Sequence, residues 1–382
     1  MSKPIVIDLF AGAGGESQGI HWAMGLDVEL FAVNHWEVAC ETHAKNFPSD
    51  ITVCQDVQTV IPTDLTKGRD VEILWASPEC THHSVARGGK PMDDQSRCTP
   101  FDIPRWITMC NVKRIIIENV PEYVNWGPLG NDYRPIQNQK GLYFKQWVKL
   151  IEGLGYTVEW KIINSADMGT HTARRRFYLQ GVKNGSGKKI VWPTPTNAKE
   201  PGMFQERWLP ASEIIDWSQP KSPISLKPRP LAESTMQKIV DGIQKFWTKD
   251  QCEPFIARFN SGKNRVHSIH EPLPVLDCSN RYALVEPIVM GYYGNATFTP
   301  VSQPLPTITT KERFALLEGY SVDGKQVQDI SLRMLTVKEM QLAQSFPASY
   351  QFAGSKADAV RQIGNAVCPK VAQNLISQGA QS

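Results

Sequence analysis

The chain has 382 residues, 41% hydrophobic and 21% charged, the ordinary composition of a globular protein, and this length predicts about two domains. We find no signal peptide and no apolar stretch long enough to span a membrane. The formal net charge is only +3, so bulk charge does not indicate nucleic-acid binding, which would have to depend on local patches.

The eight cysteines are spread along the chain without a CxxC pair. This spacing argues against a zinc knuckle or a redox dithiol, and we predict no metal site. Without a secretory signal or a regular cysteine framework, the thiols are expected to be reduced, as in a cytoplasmic protein.

Strands and helices alternate from the N-terminus, with strands predicted at 5–10, 28–33, 51–53 and 71–76. The first strand ends in the glycine-rich turn DLFAGAGG at 8–15. Glycines at a strand-to-helix turn let the backbone approach a ligand closely. The dinucleotide fingerprint GxGxxG is not met, because Ser17 stands at its third glycine. A tight turn without a ligand is therefore the alternative.

Two apolar runs end in polar residues and read as buried parallel strands. One is 71–76, followed by Ser77-Pro78-Glu79-Cys80, and the other ends in Glu118. Ligands bind at the carboxyl ends of such strands, so we expect Cys80 and Glu118 to face one crevice. A thiol and a carboxyl there indicate a nucleophile and a proton donor.

A long basic loop follows Cys80, and an arginine pair lies further along the chain. The loop carries Arg87 and Lys90, and it reads either as a lid over an anionic substrate or as a disordered surface loop. Arg174 and Arg176 alternate into a predicted strand and so point to one face. Two guanidinium groups on one face suit a phosphate or a base oxygen, the alternative being a solvated strand start.

Proline becomes frequent from about residue 192, which indicates a domain boundary. Inside this region a segment repeats at an offset of 32 or 33 residues: EPFI at 253–256 returns as EPIV at 286–289, and RYALVE at 281–286 as RFALLE at 313–318. We interpret the copies as two β units whose loops contact one extended partner, the alternative being a duplicated structural hairpin. Afterwards Thr336 and Glu339 form a predicted capping box, and helices are predicted at 357–363 and 369–377.

Five motifs occur along nearly the whole chain in the order seen in DNA cytosine-C5 methyltransferases, which the chain closely resembles. They are DLFAGAGG at 8–15, Glu118-Asn119-Val120, the Arg174/Arg176 pair, Arg333-x-Leu335-Thr336-x-x-Glu339 and Gly364-Asn365-Ala366-Val367. The resemblance implies an α/β, Rossmann-like, S-adenosylmethionine-dependent methyltransferase domain at 1–191 and 329–382. It also implies a smaller, loop-rich, β-containing target-recognition domain at 192–328.

The resemblance further implies methyl transfer to C5 of a cytosine flipped out of double-stranded DNA. Cys80 resembles the nucleophile that adds to C6, Glu118 the acid at N3, and Arg174 the residue at the base, supported by Arg176. The residues implied to bind S-adenosyl-L-methionine are Asp8, Phe10, Gly12, Gly14, Trp36, Asp56, Val57, Pro78, Asn365 and Ala366. The candidates for DNA contact are Arg87, Lys90, Lys263, Asn264, Arg265, Arg281 and Tyr292.

The chain departs from the family pattern at three places. The family's nucleophile loop reads Pro-Cys-Gln, whereas here Pro78 and Cys80 are separated by Glu79. His35 replaces the carboxylate that binds the cofactor ribose, and Thr172 replaces a glutamine before the arginine pair.

Three other functions stay open at this stage. Ser77-Pro78 begins like the tetrapeptide of exocyclic-amine DNA methyltransferases, a branch of the family methylates tRNA, and the shifted cysteine admits an inactive DNA-binding relative. We expect a monomeric enzyme of a prokaryote or phage, with a cognate restriction endonuclease as the candidate partner protein.

Overall fold

The computed structural model describes most of the chain. It covers residues 2–78, 99–131, 134–220, 224, 229–247, 253–259, 265–291, 297–300, 314–316 and 330–380. Six predicted site residues lie outside this range, namely Cys80, Arg87, Lys90, Lys263, Asn264 and Tyr292. No helix in the described range is long and apolar enough to cross a bilayer.

Helices and strands alternate through the first half of the chain, and strands predominate after it. The helices are α1 (Gly15–Met24), α2 (Glu37–Asn46), α3 (Pro62–Thr66), α4 (Asp102–Cys110), α5 (Leu142–Gly153), α6 (Glu233–Phe246), α7 (Val337–Ala343), α8 (Lys356–Asn365) and α9 (Pro369–Ala380). The strands of the first half are β1 (Ile5–Leu9), β2 (Glu29–Asn34), β3 (Ile51–Cys54), β4 (Val71–Ala76), β5 (Val112–Asn119), β6 (Tyr156–Asn164), β7 (Thr172–Ala173) and β8 (Arg175–Lys183). Those of the second half are β9 (Asn197–Ala198), β10 (Glu206–Arg207), β11 (Phe255–Arg258), β12 (Val266–Ser268), β13 (Leu273–Pro274), β14 (Tyr282–Gly291), β15 (Thr297–Pro300), β16 (Phe314–Leu316) and β17 (Ile330–Met334).

A seven-stranded sheet in the order β3-β2-β1-β4-β5-β8-β6 forms the centre of the fold. Strands β1 to β5 are parallel, whereas β8 runs antiparallel to both β5 and β6. The inner strands are buried on both faces, which is why they read as continuous apolar runs. The order places the carboxyl end of β4 between those of β1 and β5, so the strand ends that precede Cys80 and include Glu118 are neighbours.

One apolar core lies on each face of the sheet. On one face, α4 and α5 contribute Trp106 and Trp147, which pack with Tyr123. On the other face, α1 and α9 cover β1, β2 and β4. The two helices touch at Gly19, where an added Cβ would lie 2.4 Å from the Cβ of Ala372.

Replacing Gly19 with Ala should therefore lower the free energy of unfolding by about 1–3 kcal/mol, because overpacking forces α1 and α9 apart. Gly153 at the end of α5 has nothing within 4 Å of an added Cβ and serves as the matched control. Gly153→Ala should leave stability unchanged or raise it by up to about 1 kcal/mol through helix propensity. Urea denaturation checks both, and equal stability of the two variants would contradict the close helix contact.

The internal repeat of the sequence is a repeat of strand pairing. In the first copy Ala257 of β11 pairs with Ala283 of β14, and in the second Met290 of β14 pairs with Ala315 of β16. The hairpin partners repeat as well, because β11 pairs with β12 as the later part of β14 pairs with β15. Strand β14 is thus the last strand of the first unit and the first strand of the second.

The first unit shares a core with the C-terminal part of the chain. Ile256, Leu276 and Tyr282 pack in one cluster with Leu335 and Ile363. Residues on both sides of the predicted domain boundary at 328 therefore belong to the same apolar core. The division into domains at 192 and 328 stays a prediction.

Candidate functional site

A buried carboxyl and an arginine meet at the carboxyl end of β5. Glu118 is 6% exposed, and its Oε1 lies 3.2 Å from Nε of Arg176 at the start of β8. Burial raises the pKa of Glu118, and the charges of Arg176 and Arg174 oppose this shift. Glu118 can therefore keep its proton at a higher pH than an ordinary glutamate, which suits a proton donor.

The end of β4, which leads into Glu79 and Cys80, lies beside this pair. Nδ2 of Asn119 donates to the carbonyl of Pro78 at 3.2 Å, and Nε1 of Trp75 donates to Oγ of Ser77 at 3.1 Å. The amide of Ser77 also donates to the carbonyl of Leu9 at 3.1 Å. These bonds fix the last residues before the predicted nucleophile next to β1 and β5.

Arg174, the predicted base contact, is buried and hydrogen-bonded to backbone carbonyls, and its role at the base stays a prediction. It is 2% exposed, and Nη1 donates to the carbonyl oxygens of Gly364 at 3.0 Å and Leu276 at 3.4 Å. Nη2 reaches the carbonyl of Asn365 at 3.5 Å. Arg174 thus joins three segments that are remote in sequence, while Arg176 is the arginine that contacts Glu118.

The glycine-rich turn after β1 leaves room beside its backbone. Phe10, Gly12 and Gly14 have φ values of 60°, 52° and 83°, in the left-handed region that favours glycine. Among the described residues, a Cβ on Gly12 would meet only the carbonyl oxygen of Phe10, at 3.9 Å, whereas one on Gly15 would lie 2.3 Å from the carbonyl of Val367. The turn is therefore open at Gly12 and closely packed at Gly15. A non-glycine residue held at positive φ, as Phe10 is, is common at functional sites.

The residues implied to bind adenine and ribose follow β2 and β3. Trp36 is half-buried, and the guanidinium of Arg361 lies 4.4 Å from its ring centre. Asp56 is exposed and accepts from the amide of Gln58 at 2.9 Å, whereas Val57 belongs to the core. Of these three residues, Asp56 is exposed, Trp36 is half-buried under the Arg361 guanidinium, and Val57 is buried.

Asp8 lies deeper than the sequence suggests. It is 0% exposed; its Oδ2 accepts from Oγ of Ser17 at 2.7 Å, and Ser17 in turn lies 3.0 Å from Nε2 of His43. Its Oδ1 has no hydrogen-bond partner. Burial raises the pKa of Asp8 to about 7.

The turn between α8 and α9 carries the predicted Asn365 and Ala366. Oδ1 of Asn365 accepts from Sγ of Cys278 at 2.8 Å. Nε2 of Gln344 donates to the carbonyls of Ile363 at 3.0 Å and Ala366 at 3.1 Å, which holds the turn against the end of α7. The sequence analysis overlooked Cys278, Gln344 and the buried Glu16 of α1. Of these three, only Glu16 could have been recognised from the sequence, because it is a charged residue directly after the glycine-rich turn.

Two of the candidates for DNA contact are described. Arg265 is half-buried at the start of β12, and Arg281 is exposed before β14. Nε of Arg281 lies 3.6 Å from Oδ2 of Asp277, which also pairs with Arg258. Arg281 therefore shares the Asp277 carboxylate with Arg258, and the Arg281 side chain stays exposed.

The sheet order, the glycine-rich turn and the buried acid–arginine pair are those of an α/β fold in which ligands bind at the carboxyl edge of the sheet. A family profile described as C-5 cytosine-specific DNA methylase matches residues 5–380. The chain belongs to this family and is a DNA cytosine-5 methyltransferase.

The chain is similar to Type II methyltransferases in sequence and to solved methyltransferase structures in fold. The chain is 26% identical to the Type II methyltransferase M.XorII of Xanthomonas oryzae, over 99% of this chain and 85% of the relative. It is 25% identical to M1.HphI of Haemophilus parahaemolyticus, over 97% and 84%. The fold is similar to a putative DNA modification methyltransferase encoded within an Escherichia coli prophage, with a TM-score of 0.57 at 18% identity, covering 99% of both chains. A mutant of Spodoptera frugiperda DNMT2 gives the same TM-score and identity, covering 97% and 98%.

Proposed function

We propose that the enzyme methylates C5 of a cytosine that is flipped out of a specific sequence of double-stranded DNA. The observation that carries this proposal is the Glu118–Arg176 pair, buried beside the strand end that leads to Cys80. Glu118-Asn119-Val120 has no role in an exocyclic-amine methyltransferase, which instead needs an aromatic residue where Glu79 or Cys80 stands. The Type II relatives support DNA as the substrate and a restriction endonuclease as the partner.

Cytosine C5 is a poor nucleophile and needs activation before it accepts a methyl group. We infer that the Cys80 thiolate adds to C6 while Glu118 gives its proton to N3, which makes C5 enamine-like. After methylation, loss of the C5 proton to solvent water re-forms the C5–C6 double bond and expels the thiolate, and N3 returns its proton to Glu118. Arg176 holds the Glu118 carboxyl in position at 3.2 Å.

The residues at the carboxyl edge fit S-adenosyl-L-methionine, which supplies an electrophilic methyl group when bound. The turn is open at Gly12, as the backbone of a cofactor cradle must be. Trp36 and Phe10 would take the adenine, Asp56 its amino group, and the Asn365–Ala366 turn the amino-acid end. Gly14, Val57 and Pro78 would line the cofactor site. Asp8 is buried and would support the glycine-rich turn through its hydrogen bond with Ser17.

We propose that residues 192–328 recognise the target sequence, while 1–191 and 329–382 carry catalysis. Arg265 and Arg281 are the described candidates for contact with phosphates or base edges. Arg87, Lys90, Lys263, Asn264 and Tyr292 complete the proposed DNA-binding set.

Nucleoside mass analysis of DNA tests the proposal. The protein is expressed in a host that lacks cytosine methylation, beside a Cys80→Ser variant. We expect 5-methylcytosine with the wild type and none with the variant. N4-methylcytosine or N6-methyladenine would contradict the C5 mechanism, and methylated tRNA with unmodified DNA would contradict the DNA substrate.

A further inference from the structure

Glu16 is a buried carboxyl that the reaction described above does not use. It lies in the first turn of α1, next to Gly15, which packs against Val367. Glu16 is 3% exposed, and its side chain hydrogen-bonds with Ser77 at the end of β4. The carboxyl therefore lies where the glycine-rich turn, the end of β4 and the turn after α8 meet.

The charges around Glu16 are of its own sign. Within the described part of the chain, the charged groups that act most on it are Asp8 and Glu118, and both are acids. Its charge in turn disfavours ionisation of Tyr350, whose hydroxyl donates to the carbonyl of Ala13 in the glycine-rich turn. Burial and these carboxyls raise the pKa of Glu16 well above its usual range. An isolated buried carboxylate is costly unless a cation joins it.

A second observation indicates that the missing partner is a ligand. Oδ1 of Asp8 is fully buried and has no hydrogen-bond partner in the part of the chain that the structure describes, although buried polar atoms are normally paired. Asp8 and Glu16 interact electrostatically beside the glycine-rich turn, where the backbone leaves room at Gly12. Two carboxyls beside this space suit the cationic end of an organic ligand.

We propose that Glu16 positions the cationic end of S-adenosyl-L-methionine, as the counter-ion of its sulfonium and α-ammonium groups. This inference rests on the proposed function. Burial favours the protonated form of Glu16 in the free enzyme, and we infer that binding of the cationic ligand displaces this proton to solvent. The O–H bond of the carboxyl breaks, the carboxylate pairs with the cation, and no other covalent bond changes.

Calorimetric titration of the full-length enzyme with three compounds tests the inference. S-adenosylmethionine carries both cationic groups, S-adenosylhomocysteine lacks the sulfonium charge, and 5′-methylthioadenosine lacks the whole amino-acid end. Glu16→Gln should weaken S-adenosylmethionine binding by about 10- to 100-fold, the usual value of a hydrogen bond to a charged group. S-adenosylhomocysteine should lose less, and methylthioadenosine should bind as before. Glu41→Gln, an exposed glutamate of α2, is the matched control and should change nothing.

Titration in buffers of different ionisation enthalpy counts the protons released. Asp8, whose pKa is also raised, contributes to that count, so the quantity compared is the difference between wild type and Glu16→Gln. We expect the variant to release fewer protons with S-adenosylmethionine.

Each outcome has a separate meaning. Unchanged S-adenosylmethionine affinity in Glu16→Gln overturns the inference, and so does equal weakening of all three compounds, which would show that Glu16 only supports the fold. A wild-type enzyme that binds none of the compounds would instead overturn the proposed cofactor and, with it, this inference.

Discussion

Replacing Glu118 with Gln should lower the methylation rate by about a hundredfold to ten-thousandfold, because the amide cannot give a proton to N3. The amide has nearly the same shape as the carboxyl, so the fold should survive. Single-turnover methylation of an oligonucleotide with saturating cofactor measures the loss. The matched control is Glu122→Gln, in the turn just after β5, which should keep wild-type activity.

The pH dependence gives an independent check on the role of Glu118. Burial raises the pKa of this carboxyl, and only its protonated form is an acid. The wild-type rate should therefore fall as pH rises through that pKa. The residual activity of Glu118→Gln should not show this decrease. An identical pH profile in the variant would show that another group protonates the base.

Arg174→Lys should lower both stability and activity, because Arg174 ties the start of β8 to Leu276 and to the Gly364–Asn365 turn. A lysine ammonium cannot span the carbonyls that the planar guanidinium reaches. Unpaired buried carbonyls should reduce the free energy of unfolding by about 2–4 kcal/mol. Urea denaturation and the methylation rate measure the two effects.

The neighbouring Arg175 provides the control for this substitution. It is exposed, so Arg175→Lys should change stability by no more than about 0.5 kcal/mol. If Arg174→Lys were as stable as Arg175→Lys, the three carbonyl contacts would not support the fold. Lost activity with intact stability would place Arg174 at the base, as the family resemblance implies.

The central sheet was predictable because its buried parallel strands are continuous apolar runs. The strand predicted at 71–76 is confirmed as Val71–Ala76. The capping box is confirmed too, since the amide of Glu339 donates to Oγ1 of Thr336 at 3.1 Å and Glu339 accepts from the amide of Thr336. These features depend on residues close together in the chain.

The features that the sequence did not reveal depend on residues far apart. Glu339 also accepts from Arg333 at 2.7 Å and from the amide of Asp216 at 2.9 Å, the latter 123 residues away. The carbonyl partners of Arg174 come from segments 102 and 190 residues downstream. Strand periodicity put Arg174 and Arg176 on one face, but it could not say which of them would reach Glu118.

The strand shared by the two β units has a consequence for how such enzymes change their target. A tandem duplication of one unit adds strands to the sheet without altering the register of those already present. The first copy is held in place, since Leu276 and Cys278 bind Arg174 and Asn365. Substitutions in the second copy leave those bonds untouched. If residues 192–328 recognise the target, as proposed, the second copy can therefore change its sequence while the first copy keeps its bonds to Arg174 and Asn365.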